Sequence, residues 1–123
     1  MTTHDRTILF TTRDELLRLR ASTIVAFRAD CNYTQIIVAN GSKYTVCMNL
    51  LAMENALAAQ LGTDAQRFMR IGKSTIINLD FLQHISVPRR RIILSNGTGQ
   101  NFAVPLSLEA VKRLKSFCTP SKE

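Results

Sequence analysis

The chain has no tryptophan, and only three prolines and five glycines in 123 residues. No low-complexity tract, repeat or linker interrupts it, so this length reads as one domain. Histidine is scarce too. His4 lies near a terminus, and His84 falls in a predicted strand where a surface or hydrogen-bonded role is usual. No nucleophile elbow, cysteine pair or helical His-Glu-His pattern occurs. Gly72-Lys73-Ser74 has the end of a phosphate-cradling loop, but the glycine required five residues before Gly72 is Arg67. Without a cluster of titratable groups, catalysis is not expected. The three cysteines, Cys31, Cys47 and Cys118, are odd in number and have no short metal spacing. They read as reduced thiols of a cytoplasmic protein and as structural, with neither metal nor other cofactor expected. Cys31 stands apart, because it lies beside Asn32 in a predicted exposed loop where oxidation could tune binding. No apolar run reaches the roughly 18 residues of a membrane span, so no membrane partner is expected.

What the chain has is positive charge in one half. The net charge is +7. Residues 1–66 carry six basic and six acidic residues, which cancel; residues 67–123 carry ten basic residues against Asp80, Glu109 and Glu123. The whole excess lies in the second half. A polyanionic partner fits this distribution, and a solvated Lys/Arg face is the plainer alternative.

Short β-rich runs come first, at 7–11, 15–19, 23–28, 33–39 and 43–47, where Ile, Val, Phe, Tyr and Thr concentrate. Asn40-Gly41 between two of them signals a hairpin, since both residues tolerate positive φ. Asn49 reads as an N-cap, followed by Leu50, Met53, Leu57 and Leu61 at helical spacing and by Gly62 as a stop. Glu54 is the only charged residue of that helix, which suits a core helix better than a groove reader. Strands resume at 68–71 and around Ile76 and Ile77. A second hairpin spans 83–87 and 92–95 and turns at Pro88-Arg89-Arg90. Asn96-Gly97 makes another turn, leading to a strand at 102–104, and Ser107 caps a last helix bearing Val111 and Leu114. The pattern predicts a mainly β, α+β domain, largely antiparallel, with one mid-chain and one C-terminal helix. Residues 1–14 read as an N-terminal extension with the first strand, 15–118 as the domain, and 119–123 as a frayed tail.

Three surface segments carry binding chemistry. Asn32-Tyr33-Thr34-Gln35 opens a strand. Asn and Gln pair bidentately with adenine, and Thr contacts a base edge or the thymine methyl. Tyr33 is expected to pack its ring at a sheet edge with the hydroxyl free for phosphate. The plainer reading of this segment is a polar turn. The second segment is Arg70-Ile71-Gly72-Lys73-Ser74, two cations and a hydroxyl held between apolar flanks. The third is Leu106-Ser107-Leu108 with Lys112. Arg89, Arg90 and Arg91 at the hairpin turn add phosphate anchors, or simply a charged turn that blunts aggregation.

In order and spacing, Asp30 to Ile36 with Gly41 to Tyr44, then Phe68 to Leu82, then Ile92 to Gly97, and then Val104 to Ser107 leading into the last helix, the chain resembles the LytTR family, the DNA-binding output domain of many bacterial response regulators. The resemblance runs from about Glu15 to Phe117. It implies an elongated β-β-β sandwich whose loops enter successive major grooves. It matches Arg70, Lys73 and Ser74 to the family's usual contacts, and Asn78 to a recurring structural Asn that bonds backbone in the turn after it. Two positions depart from the family. Gly72 stands where members often carry His, which removes a donor. Leu108 stands where many carry an Arg after the Ser, and Leu cannot grip guanine. Either the site sequence differs, or affinity is weak, or Lys112 and Arg113 substitute as phosphate contacts.

The expected function is therefore a sequence-specific, double-stranded DNA-binding transcriptional regulator of a bacterial two-component type. With only about fourteen residues ahead of the domain, no receiver is expected, and the chain reads as a stand-alone regulator or an excised domain. Paired or repeated half-sites, a homodimer on DNA and a sensory partner protein go with that reading. The alternative is an interaction module of the same fold that has lost specific DNA binding, which Gly72 and Leu108 favour. Single-stranded RNA binding is weaker, for want of exposed aromatics. The DNA reading requires Arg70, Lys73 and Thr34 to be exposed on one side.

Overall fold

In the computed structural model, residues 6–120 are described; His4 and most of the expected tail, 121–123, lie outside them. Ten strands and two helices follow in the order β1 (Thr7–Thr11), β2 (Leu16–Arg20), β3 (Ile24–Asp30), β4 (Tyr33–Val38), β5 (Lys43–Val46), α1 (Leu50–Leu61), β6 (Phe68–Ile71), β7 (Thr75–Asn78), β8 (Leu82–Ser86), β9 (Arg91–Ser95), β10 (Asn101–Pro105) and α2 (Leu108–Cys118). They form three antiparallel sheets: β1-β2, the five-stranded β5-β4-β3-β7-β6, and β10-β9-β8. The mainly β architecture with a mid-chain and a C-terminal helix is the one expected.

The five-stranded sheet is the middle layer, because alternate residues of a strand face opposite ways. Ile36, Phe27 and Ile76 point to one side, where α1 contributes Leu50, Met53, Leu57 and Leu61 and β1 contributes Ile8 and Phe10. Phe27 is the hub of that core, edge-on to Phe10 at 5.9 Å and to Phe68 at 5.8 Å between ring centroids. Ile37, Ile71 and Ile77 point to the other side, against Ile92 and Leu94 of β9, Val104 of β10 and Val111 and Leu114 of α2. Each fully buried aliphatic or aromatic side chain contributes about 1.5–3 kcal/mol. A register shift between Ile24 and Ala26 lets β3 serve both cores: Ile24 faces α1, while Val25 and Ala26 both turn to the other side.

Local signals explain the ends of the elements. Asn49 caps α1 by accepting the Ala52 amide at 2.8 Å, and Gly62 ends it at φ +58°. Ser107 caps α2 through the Ala110 amide at 3.1 Å. The Asn40-Gly41 hairpin forms with a loop of residues 39–42. Only Gly41 takes positive φ, at +94°, while Asn40 accepts the Ser42 amide at 2.8 Å through its side chain. A Cβ at Gly41 would meet the Gln100 side chain at 2.5 Å, so the β4–β5 and β9–β10 loops close one end of the molecule together. Asn78 is wholly buried and has the structural role expected of it. Its amide donates to the Ile24 carbonyl at 2.8 Å and its oxygen accepts the Asp80 amide at 2.9 Å.

Candidate nucleic-acid interface

The end opposite Gly41 gathers four connections. β3 ends and β4 begins there at the two-residue turn Cys31–Asn32, with Asp30 paired to Tyr33. β6 and β7 meet there through 72–74, with Ile71 paired to Thr75. The Ala29 amide donates to the Ser74 carbonyl at 2.8 Å and joins these two connections. The β8–β9 turn closes with the Arg90 amide on the Val87 carbonyl at 3.1 Å, and the Arg90 carbonyl then accepts the Leu106 amide at 2.8 Å. That bond sets the basic turn against the segment between β10 and α2. This segment and the 72–74 loop form the two walls of a groove of ≈ 690 Å³.

The groove carries Arg70, Lys73 and Ser74 on one wall and Ser107, Glu109 and Arg113 on the other. Lys73, Ser74, Ser107 and Arg113 are exposed. Gly72 has φ +69° with open space where a Cβ would stand, so it is the backbone conformation that calls for glycine there. Arg70 is not a free cation. Its Nη1 donates to Glu54 Oε1 of α1 at 2.9 Å, and its Nη2 donates to the Lys73 carbonyl at 3.1 Å. Lys73 and Arg113 have no ion-pair partner among the described residues, and the same holds for Arg89 and Arg90.

Several expected contacts need correction. Thr34 is wholly buried, and its hydroxyl donates to the Met48 carbonyl at 2.6 Å. It lies on the α1 side of β4 and anchors the approach to that helix, so the exposed side expected to hold Arg70, Lys73 and Thr34 holds Arg70 and Lys73 without Thr34. Tyr33 is not packed at a sheet edge: β4 is an interior strand, and 47% of the residue is exposed at the turn. Gln35 is half-buried opposite Arg28, and Asn32 is exposed at the tip. Of the three arginines, Arg89 and Arg90 are exposed in the turn, whereas Arg91 is half-buried in β9 with an Nε that has no partner. Lys112 is exposed but lines a different hollow, with Val87 and Lys115. The three cysteines, expected as structural thiols, are all exposed. Cys31 stands in the β3–β4 turn at φ +59°.

Two residues carry more than the sequence reading gave them. Arg113 lines the groove because Ala110, Val111 and Leu114 bury the inner face of α2 and turn residues 109 and 113 toward the 72–74 loop. Helical phase alone contained that signal. Leu108, read as a lost contact, packs half-buried against the second core.

Three antiparallel sheets around two cores, with a cationic loop end, define a β-sandwich domain. The sequence matches the family described as LytTr DNA-binding domain over residues 14–119. The chain belongs to the LytTr DNA-binding domain family. Among solved structures, the fold is similar to the LytTr DNA-binding domain of a protein described as a methyl-accepting/DNA response regulator from Bacillus cereus. The TM-score is 0.59 and the identity 18%, over 89% of this chain and 94% of that one. No curated protein matches the chain in sequence. Among the described residues, no helix is long and apolar enough to cross a membrane.

Proposed function

We propose that this domain binds double-stranded DNA sequence-specifically and regulates transcription, with its loops reading neighbouring major grooves. The observation that carries this reading is the clustering of Lys73, Arg113, Arg89 and Arg90, exposed and without ion-pair partners among the described residues, with Asn32, Ser74 and Ser107 at one end of the sandwich. Strand pairing fixes the loop backbones, so the polar groups meet base edges without a large ordering penalty. Lys73 and Ser74 enter one groove. Arg113, Arg89 and Arg90 hold phosphates beside it, and Asn32 and Tyr33 flank the same path. In this reading no helix enters a groove: α1 turns Leu50, Met53, Leu57 and Leu61 into the first core, and α2 lends only Arg113 at the groove wall.

Four free cations are a modest set. At about 0.9 of a logarithmic unit per neutralised phosphate, one domain gives a salt slope of roughly −3 to −4. Paired domains on two half-sites supply the remaining affinity. A homodimer on DNA and a sensory partner in a bacterial, cytoplasmic two-component pathway complete the reading. Selection of bound sequences from a random duplex library tests it. Enrichment of a short repeated motif supports it. Absence of enrichment at low salt replaces it with a domain of the same fold that serves as a protein-interaction module.

A further inference from the structure

We infer that Glu54 is a positioning residue for the 72–74 loop, acting through Arg70 and making no contact with DNA itself. The inference rests on the proposed reading of that loop as a DNA contact. Glu54 is the only charged residue of α1, a helix otherwise built from apolar residues, Ala, Asn and Gln. Its carboxylate holds Arg70 Nη1 at 2.9 Å, and the other arm of the same guanidinium holds the Lys73 carbonyl at 3.1 Å. A planar guanidinium fixed at one nitrogen has its other nitrogen fixed in direction as well. The chain of contacts therefore runs from a helix docked on the first core to the backbone of the residue that presents the ammonium. The tie adds to the Ala29–Ser74 backbone bond in a loop where Gly72, at φ +69°, has open space where a side chain would stand.

The pair also decides what DNA meets at Arg70. Glu54 and Arg70 keep 38% and 35% of their side chains exposed, so the guanidinium stands at the surface with its charge offset. Freed from Glu54, Arg70 becomes one more loose cation. The two consequences are opposite in sign: specific binding falls as Lys73 loses its fixed direction, and sequence-independent binding rises with the added charge.

The experiment compares wild type with Glu54→Gln, Glu54→Ala, Lys73→Ala and the Glu54→Ala/Lys73→Ala double variant. Binding is measured to the selected duplex and to a scrambled duplex. Glu54→Ala is expected to weaken specific binding about tenfold, or ~1.4 kcal/mol, while scrambled-duplex binding holds or strengthens. In the Lys73→Ala background the same change is expected to have less than about a twofold effect, because coupled residues are not additive. An equal loss in both backgrounds overturns the inference. A second measurement needs no DNA. Backbone ¹⁵N order parameters at residues 72–74 are expected to fall from about 0.85 toward 0.6 in Glu54→Ala, which removes the acceptor, and less in Glu54→Gln, whose amide oxygen can still accept from Arg70; unchanged values in Glu54→Ala overturn the inference. If Lys73→Ala leaves specific binding intact, the DNA role of the loop fails, and the order parameters still decide the role of Glu54.

Discussion

The Ala29 amide and the Ser74 carbonyl are 2.8 Å apart, and that hydrogen bond ties the tip of the β3–β4 hairpin to the 72–74 loop. Two connections more than forty residues apart in sequence thus form one surface. On its far side, the bond from the Leu106 amide to the Arg90 carbonyl does the same for the basic turn and the start of α2. Recognition by such a surface depends on several loops holding one shape; backbone bonds between loops supply much of it, and the Arg70 side chain adds its tie to the Lys73 carbonyl.

Lys73 and Arg113 line opposite walls of the groove without ion-pair partners among the described residues. Replacing either by Ala is expected to reduce the salt slope of specific binding by about 0.9 and to weaken binding several-fold at 100 mM salt. The melting temperature should stay within about 2 °C, since exposed substitutions away from packing change stability by about 0.5 kcal/mol or less. Titrations of DNA at four salt concentrations check this. An unchanged slope for both variants removes the groove from the interface.

Thr34 provides the opposite case. Thr34→Val keeps the shape but leaves the half-buried Met48 carbonyl without its 2.6 Å donor. A loss of about 1–3 kcal/mol is expected, seen as a lower urea midpoint with unchanged slope. DNA affinity, measured well below the melting temperature, should stay within about twofold of wild type, a free-energy change of roughly 0.4 kcal/mol. A tenfold loss of affinity with unchanged stability would return Thr34 to the contact surface.

The contrast between these residues shows what the sequence could reveal. Strand content, both helices, their caps at Asn49 and Ser107 and the stop at Gly62 are local properties, written in propensity and periodicity. The family resemblance pointed to Asn78 and to its bond with the turn after it, at the Asp80 amide, whereas its bond to the Ile24 carbonyl, 54 positions away, was not legible. The inward turn of Thr34 was not, because a hydroxyl suits a base edge and a buried carbonyl equally well. Strand parity decides between them, and parity needs the register against β3 and β5. Glu54 was visible as a lone charge on a core helix, but its partner lies 16 positions away and emerges only when α1 lies across the sheet. Arg113 could have been preferred to Lys112 from the helical phase set by Val111 and Leu114, since residue 112 lines a separate hollow with Val87.

Gly72 makes a further test possible. Its Cβ direction is open, so Gly72→His adds an imidazole donor without a clash. The left-handed backbone at φ +69° costs a side chain about 1–2 kcal/mol. Gly72→Ala should show the same stability loss with no new donor. Comparison of the two variants separates the effects: His is expected to tighten specific binding relative to Ala, by about fivefold for one added hydrogen bond near 1 kcal/mol. Equal affinities for the two variants mean that position 72 does not reach DNA.

Leu108 gives the last test, because its two roles pull apart. The side chain is half-buried against the second core at the first position of α2. Leu108→Arg removes that packing and sets a cation at a helix N-terminus, where the dipole disfavours it by about 0.3–1 kcal/mol. Together with the lost burial, a destabilisation of roughly 1–2 kcal/mol is expected, near 4–8 °C in melting temperature. If the start of α2 lies on a base pair, the new guanidinium should also add a preference for guanine of about 1–3 kcal/mol at one position of the selected motif. Leu108→Ala is the control that loses packing without gaining a donor. A motif from Leu108→Arg identical to that from Leu108→Ala would place the start of α2 on phosphate alone, and the specificity would then rest with the β3–β4 turn and the 72–74 loop.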